Sequence, residues 1–153
     1  MKKITLLSMA AGLLLTCSLP SPAQDKGGWR AASSTASAIT GDIAILDDKL
    51  SINLTAFTIA EIRKLEPAEA AAAFNADSHA QGSGNLYRLS VPAAKRFLHH
   101  NTLCGAEDTQ WMATYAQGRE LQIAFFSGTK MPVFTPDALA NSTDLCGTFS
   151  YSR

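Results

Sequence analysis

Neither sign of charge is in excess: 13 Lys and Arg stand against 13 Asp and Glu in 153 residues. Such a chain has no electrostatic footprint for nucleic acid or for an anionic bilayer. Only three cysteines occur, and no Cys-x-x-Cys spacing joins them, which removes the commonest redox motif. No Gly-x-Gly-x-x-Gly or Walker pattern cradles a phosphate, and no Gly-x-Ser-x-Gly elbow presents a nucleophile. Histidines number three. His79 is isolated, and His99 and His100 are neighbours that point about 100° apart on a helix, so no set of three or four convergent metal ligands forms. Beyond residue 23 no apolar run reaches the roughly 20 residues of a membrane span. These absences imply no nucleic-acid partner, no cofactor, no metal and no transmembrane segment after the N-terminus.

What is present begins with an export signal. Met1-Lys2-Lys3 is followed by an apolar run from Ile4 to Leu15 and by the small-x-small site Ser21-Pro22-Ala23, the charged, apolar and cleavage regions of a secretory leader. Cleavage is expected after Ala23. The alternative is a lipoprotein anchored through Cys17, for which Thr16 is a poor preceding residue. Loss of residues 1–23 removes Lys2 and Lys3 and no acid, leaving 11 basic against 13 acidic residues and a net charge of about −2. The expected location is periplasmic or secreted. Cys104 and Cys146 then remain in an oxidising compartment and are expected to pair. Closing a loop of about 43 residues is worth at most about 4 kcal/mol by chain entropy.

Residues 24–38 are small and polar, with Gly27 and Gly28, and read as a flexible N-terminal arm with Trp29 as a docking point. Residues 39–153 read as one domain. Ile43 and Ile45, then Leu50 and Ile52, alternate on either side of Asp47-Asp48 as a hairpin. Thr58-Ile59-Ala60-Glu61 has the form of a capping box, and Ile59, Ile62 and Leu65 follow at helical spacing. Pro67 opens a further helix to Phe74, carrying Ala70 to Ala73. Asn85 to Val91 alternates as a strand. A short helix is expected after Pro92, with Phe97 and Leu98 inward and His99-His100 at its end. Thr109–Ala116 and Glu120–Ser127 flank Gln117-Gly118-Arg119 as the clearest hairpin. Thr135-Pro136-Asp137 starts one more helix, and Cys146 to Tyr151 is the last strand. Strands mixed with short helices predict an α+β fold: a mostly antiparallel sheet with short helices on one face and one disulfide. A lipocalin-like β-barrel is the alternative.

No catalytic set is legible. Ser83 is flanked by Gly82 and Gly84 without the elbow spacing, and the acids are scattered without a favoured pair. Surface recognition is what the residues favour. Arg88, Trp111, Tyr115 and Arg119 belong to the types that dominate interface hot spots, although Trp111 and Tyr115 on one strand face also suit a core.

Asn85 to Arg88, Asn101 to Gly105, Thr109 to Tyr115 and Asn141 to Thr148 together resemble a group of small exported bacterial proteins with no assigned activity. The resemblance implies the compartment and the cysteine pairing and supplies no function. Ser83-Gly84-Asn85-Leu86-Tyr87 resembles the Ser-Gly-x-x-Tyr motif of periplasmic C-type lysozyme inhibitors, which display it on a barrel loop whose serine enters the lysozyme cleft. That family's following Trp-x-Lys-Gly element is missing, since Trp111 is followed by Met112-Ala113. On this resemblance Ser83 and Tyr87 join the candidate binding residues. The reading is a non-catalytic binding module for an envelope protein or component. A small envelope-acting hydrolase using Ser83, His79 or a carboxylate pair, and a lysozyme-type inhibitor, are the alternatives.

Overall fold

Eight antiparallel strands follow one another around a closed barrel, each bonded to its neighbour in sequence and the last bonded to the first. The computed structural model describes residues 24–153; the leader and Cys17 lie outside the described residues. In chain order the elements are β1 (Gly27–Ala31), α1 (Ser34–Ile39), β2 (Ile43–Ile45), β3 (Lys49–Ile52), β4 (Thr55–Lys64), α2 (Pro67–Phe74), β5 (Ser83–Val91), β6 (Thr109–Gln117), β7 (Glu120–Phe126), α3 (Pro136–Ala140) and β8 (Leu145–Ser152), with a single 3₁₀ turn at Leu98–His100 before β6. Arg30 pairs with Ser152 and Ala31 with Tyr151 to close the barrel.

Alternation puts one residue in two inside. Ile45, Leu50, Ile52, Tyr87, Met112, Leu121, Ile123, Phe125, Phe149 and Tyr151 are all at most 1 % exposed and form one core. Phe125 and Phe149 meet edge to face at 5.2 Å. An eight-stranded barrel is just wide enough for side chains to fill, and these large residues fill it.

A second core lies outside the barrel wall. Leu86, Trp111, Ala113, Tyr115, Ala124 and Phe126 point outward and are buried with Leu65, Ala70, Phe74 and Phe134. The helix α2 and the segment around Phe134 cover this face. Trp111 and Tyr115 are therefore core residues, in the outer of two cores. A bidentate pair latches α2 to β4: Arg63 donates to both oxygens of Glu69 at 2.6 and 2.8 Å. The same Glu69 carboxylate accepts from the Glu66 amide at 2.9 Å in a capping box. The Arg63 hydrogen bonds hold the Glu69 carboxyl below its ordinary range, against an opposing effect of burial.

The closed barrel overturns the α+β expectation and fits the lipocalin-like alternative in architecture. Two local misreadings explain the error. The first is β4, where a capping-box pattern and the spacing of Ile59, Ile62 and Leu65 predict a helix. The segment is a strand, because Lys49–Ile52 and Asn85–Leu89 both pair with it. A bulge inserts Ile62 between Glu61, opposite Tyr87, and Arg63, opposite Leu86. One extra residue breaks the period of two, and the broken period imitates helical spacing. The second is the segment 24–38, read as an arm, which supplies β1 and α1. Trp29 is 2 % exposed in the barrel core. Ser33 caps α1 by accepting from the Ala36 amide at 3.1 Å.

The cysteines are bonded, Cys104 to Cys146, with Cα atoms 4.9 Å apart. The bridge ties the β5–β6 connection to β8 and packs against the interior core. Among the described residues no helix is long and apolar enough to cross a membrane.

The β3–β4 hairpin has a two-residue turn at Asn53 and Leu54, with φ of 46° and 66°. Such turns favour Asn-Gly, because both positions need positive φ. Leu54 is fully exposed, so its side chain offsets none of the left-handed strain of about 1–2 kcal/mol. Leu54→Gly should raise the unfolding free energy by about 1 kcal/mol, read by urea denaturation. A variant no more stable than the parent would contradict the turn geometry.

Two buried phenols make the barrel sensitive to alkali. Burial pushes the Tyr151 phenol up, opposed by its 2.7 Å hydrogen bond with Thr40. Burial, then the nearby Asp25 charge, pushes Tyr87 up further. In the unfolded chain both ionise near pH of about 10. Their stabilisation is thus complete below that pH and is lost above it, by about 1.4 kcal/mol per pH unit for each tyrosine. Tyr151→Phe should remove about half of that loss, measured as urea-unfolding free energy on either side of pH of about 10. An unchanged alkaline slope would mean that Tyr151 ionises within the folded barrel.

Candidate functional site

Large side chains fill the described barrel interior, and the clefts considered below open on its surface. The residues singled out from the sequence scatter. Tyr87 points inward and is fully buried, where its hydroxyl donates to Asp25 at 2.8 Å. Arg88 and Trp111 sit opposite each other on β5 and β6, the guanidinium 4.6 Å from the indole centroid. Arg88 also donates to the Gln110 carbonyl at 2.7 Å, while the Trp111 indole nitrogen is buried without a hydrogen-bond partner among the described residues. Arg119 lies in the β6–β7 turn and donates through Nε to the carbonyl of Arg153.

Ser83 and Tyr115 do come together. They line a cleft of about 190 Å³ between β4, α2 and the connection into β5, with Lys64, Leu65, Ala70 and Asp77. The chain makes this cleft for local reasons. Pro67 and the capping box start α2 immediately after β4, and Asn75 ends it in the left-handed conformation at φ 52°, turning the chain back toward β5. The glycines around Ser83 then make room. A Cβ on Gly82 would lie 2.2 Å from both Cζ and the hydroxyl oxygen of Tyr115. One on Gly84 would lie 3.0 Å from Leu65. The Gly-Ser-Gly sequence thus serves close packing on an aromatic ring and forms no nucleophile elbow.

Tyr115 forms the floor. Its ring stacks on Phe74 at 6.2 Å and the residue is 6 % exposed. Its hydroxyl has no hydrogen-bond partner among the described residues, though a buried hydroxyl left unmatched costs roughly 1–3 kcal/mol. Around it stand an ammonium at Lys64, a carboxylate at Asp77, the Ser83 hydroxyl and an apolar wall of Leu65 and Ala70. Asp77 Oδ1 accepts from the His79 amide at 2.9 Å. No hydrogen bond joins Ser83 to a histidine among the described residues. Ser83 to Tyr87 lie within β5, and not on a projecting loop of the kind that the inhibitor resemblance implies. Among the described residues no group of three or more His, Cys, Asp or Glu is placed to hold a metal. Lys64 and Asp77 carry no signal in the sequence; Gly82 and Gly84, spaced by one residue, were the readable mark of the cleft.

Behind the same pair of strands, on the interior side, lies a buried carboxylate. Asp25 is fully buried, and its Oδ2 accepts from Asn85 at 2.9 Å, Tyr87 at 2.8 Å and Thr114 at 2.7 Å. The Trp29 indole donates to its carbonyl at 2.9 Å. Asn85 and Thr114 face each other across β5 and β6, directly beside the Gly84–Tyr115 pair that frames the cleft. Asp25 thereby fixes the wall on which the cleft is built.

Comparison of the chain with protein-family models, with curated proteins and with solved structures returns no match.

Proposed function

We propose that this chain is an exported, disulfide-stapled binding protein without catalytic activity, which takes a small polar ligand in the Tyr115 cleft. The observation that carries this reading is the Tyr115 hydroxyl, buried and without a hydrogen-bond partner among the described residues, on a side chain that lines a cleft with Lys64, Asp77 and Ser83. A volume of about 190 Å³ is below the roughly 300 Å³ at which drug-sized pockets begin, so the ligand is a small molecule or the tip of a larger envelope component. Export with cleavage after Ala23 supplies the oxidising compartment in which the Cys104–Cys146 bond persists.

The test is a thermal-shift screen of small polar metabolites and cell-envelope fragments against the parent protein and Tyr115→Phe. The Phe variant keeps the ring on Phe74 and loses only the hydroxyl. A ligand that raises the parent's Tm in a saturable way, with affinity weakened roughly tenfold in the variant, supports the cleft. Ligands that act equally on both proteins would remove it.

A further inference from the structure

Along β1, the start of β2 and the end of β8, with no lining residue in common with the Tyr115 cleft, a groove of about 670 Å³ gathers three arginines, Arg30, Arg119 and Arg153. They come from three parts of the chain: β1, the β6–β7 turn and the residue after β8. Among the described residues none of them is ion-paired; the ion pair found is Arg63–Glu69. One acid, Asp42, lines the groove, and its Oδ1 is engaged with the Ala31 amide at 3.0 Å. Like charges gathered in one place repel, and the main-chain oxygen of Arg153, at the end of the described chain, meets only the Nε of Arg119.

The three side chains differ in how they are held. Arg153 stacks its guanidinium 4.2 Å from the Trp29 ring centroid and donates to the carbonyls of Lys26 at 2.8 Å and Gln24 at 3.1 Å. It is fixed in place as part of the groove wall. Arg119 uses only Nε, toward the main-chain oxygen of Arg153, the last residue, so its two terminal nitrogens remain for a ligand. Arg30 is exposed and makes no side-chain hydrogen bond to another described residue. Between them lies Gly28, where a Cβ would meet nothing within 4 Å; the floor of the groove is open backbone.

We propose that this groove binds an oxyanion, a phosphoryl or carboxylate group, through the free guanidinium forks of Arg30 and Arg119, with Arg153 as a fixed third charge. Arginine's planar fork matches both oxyanions with paired N–H donors. The site is separate from the Tyr115 cleft and does not depend on it.

The experiment titrates the intact protein with inorganic phosphate, glycerol phosphate and citrate at constant ionic strength, following the arginine Nε–Hε signals by heteronuclear NMR. Saturable shifts at Arg30 and Arg119 are expected. Arg30→Gln and Arg119→Gln should each weaken binding roughly tenfold. Gly28→Glu, which introduces an acid at a position with steric room, should abolish it while the fold is retained. Preference for the phosphates assigns a phosphoryl ligand and preference for citrate assigns a carboxylate one. Shifts that do not saturate, that chloride reproduces, or that survive Arg30→Gln and Arg119→Gln would overturn the proposal. Arg153 is left unaltered because its contacts also hold the chain before β1.

Discussion

Asp25→Ala should cost about 3–6 kcal/mol of stability, because it strands three buried donors at roughly 1–3 kcal/mol each. Asn85, Tyr87 and Thr114 all donate to one oxygen of this carboxylate inside the barrel. None of them has water to turn to, since Thr114 and Tyr87 are fully buried and Asn85 is 3 % exposed. A loss of that size is a large share of the 5–15 kcal/mol that holds a typical domain together. Asp25→Asn keeps an accepting oxygen and should cost less. Tyr87→Phe removes one donor together with its demand and should cost about 1 kcal/mol. The order Ala, then Asn, then Phe at position 87 is to be read from urea midpoints with circular dichroism. A barrel that loses less than about 1 kcal/mol with alanine would show that the three donors find other partners. Because β5 and β6 also carry Ser83 and Tyr115, the alanine variant should disturb the cleft along with the fold.

Removing the disulfide is the second large effect. The bonded cysteines are 42 positions apart, a long loop, and the loss expected for Cys104→Ser with Cys146→Ser is about 2–4 kcal/mol. The loop it closes contains β6, β7 and α3, which supply much of both cores. The bond restricts the unfolded chain, so the double variant should also show a steeper dependence on urea as its unfolded state expands. Equal stability of the parent with and without reductant would show that the barrel gains nothing from the bridge.

Particular residues show how far the fold could be read in advance. The β6–β7 hairpin was legible because Trp111, Ala113 and Tyr115 alternate with Met112 and Thr114, and Gly118 at φ 59° turns the chain. Both faces of β6 are buried, yet the two faces remain distinct in residue type. The helix α2 was legible from Pro67 and its alanines, and Cys146 to Tyr151 was read as the last strand, within β8. The strand β4 was not, because the bulge at Ile62 erased its period and a Thr-x-x-Glu pattern suggested a cap where pairing on two sides prevailed. Nor was β1: Gly27-Gly28-Trp29 has no periodicity, and its strand exists because β2 and β8 offer edges that it fills. In the candidate cleft Tyr115 was named from residue type and Ser83 from the inhibitor-like Ser-Gly-x-x-Tyr motif, whereas Lys64 and Asp77 line it beside the start and end of α2. Asp25 could not have been found, since nothing near it in sequence indicates that Asn85, Tyr87 and Thr114 will surround it.

The chain's own residues determined the elements with local causes: the cysteine pair, the capped helices, and the strands whose side chains alternate from β5 to β8. Closure was decided by tertiary structure alone. It depends on Arg30 meeting Ser152 and Ala31 meeting Tyr151, contacts between opposite ends of the chain that no local pattern encodes. The same long-range pairing sets Arg30 beside Arg119 and Arg153, and brings Asp25 into the barrel.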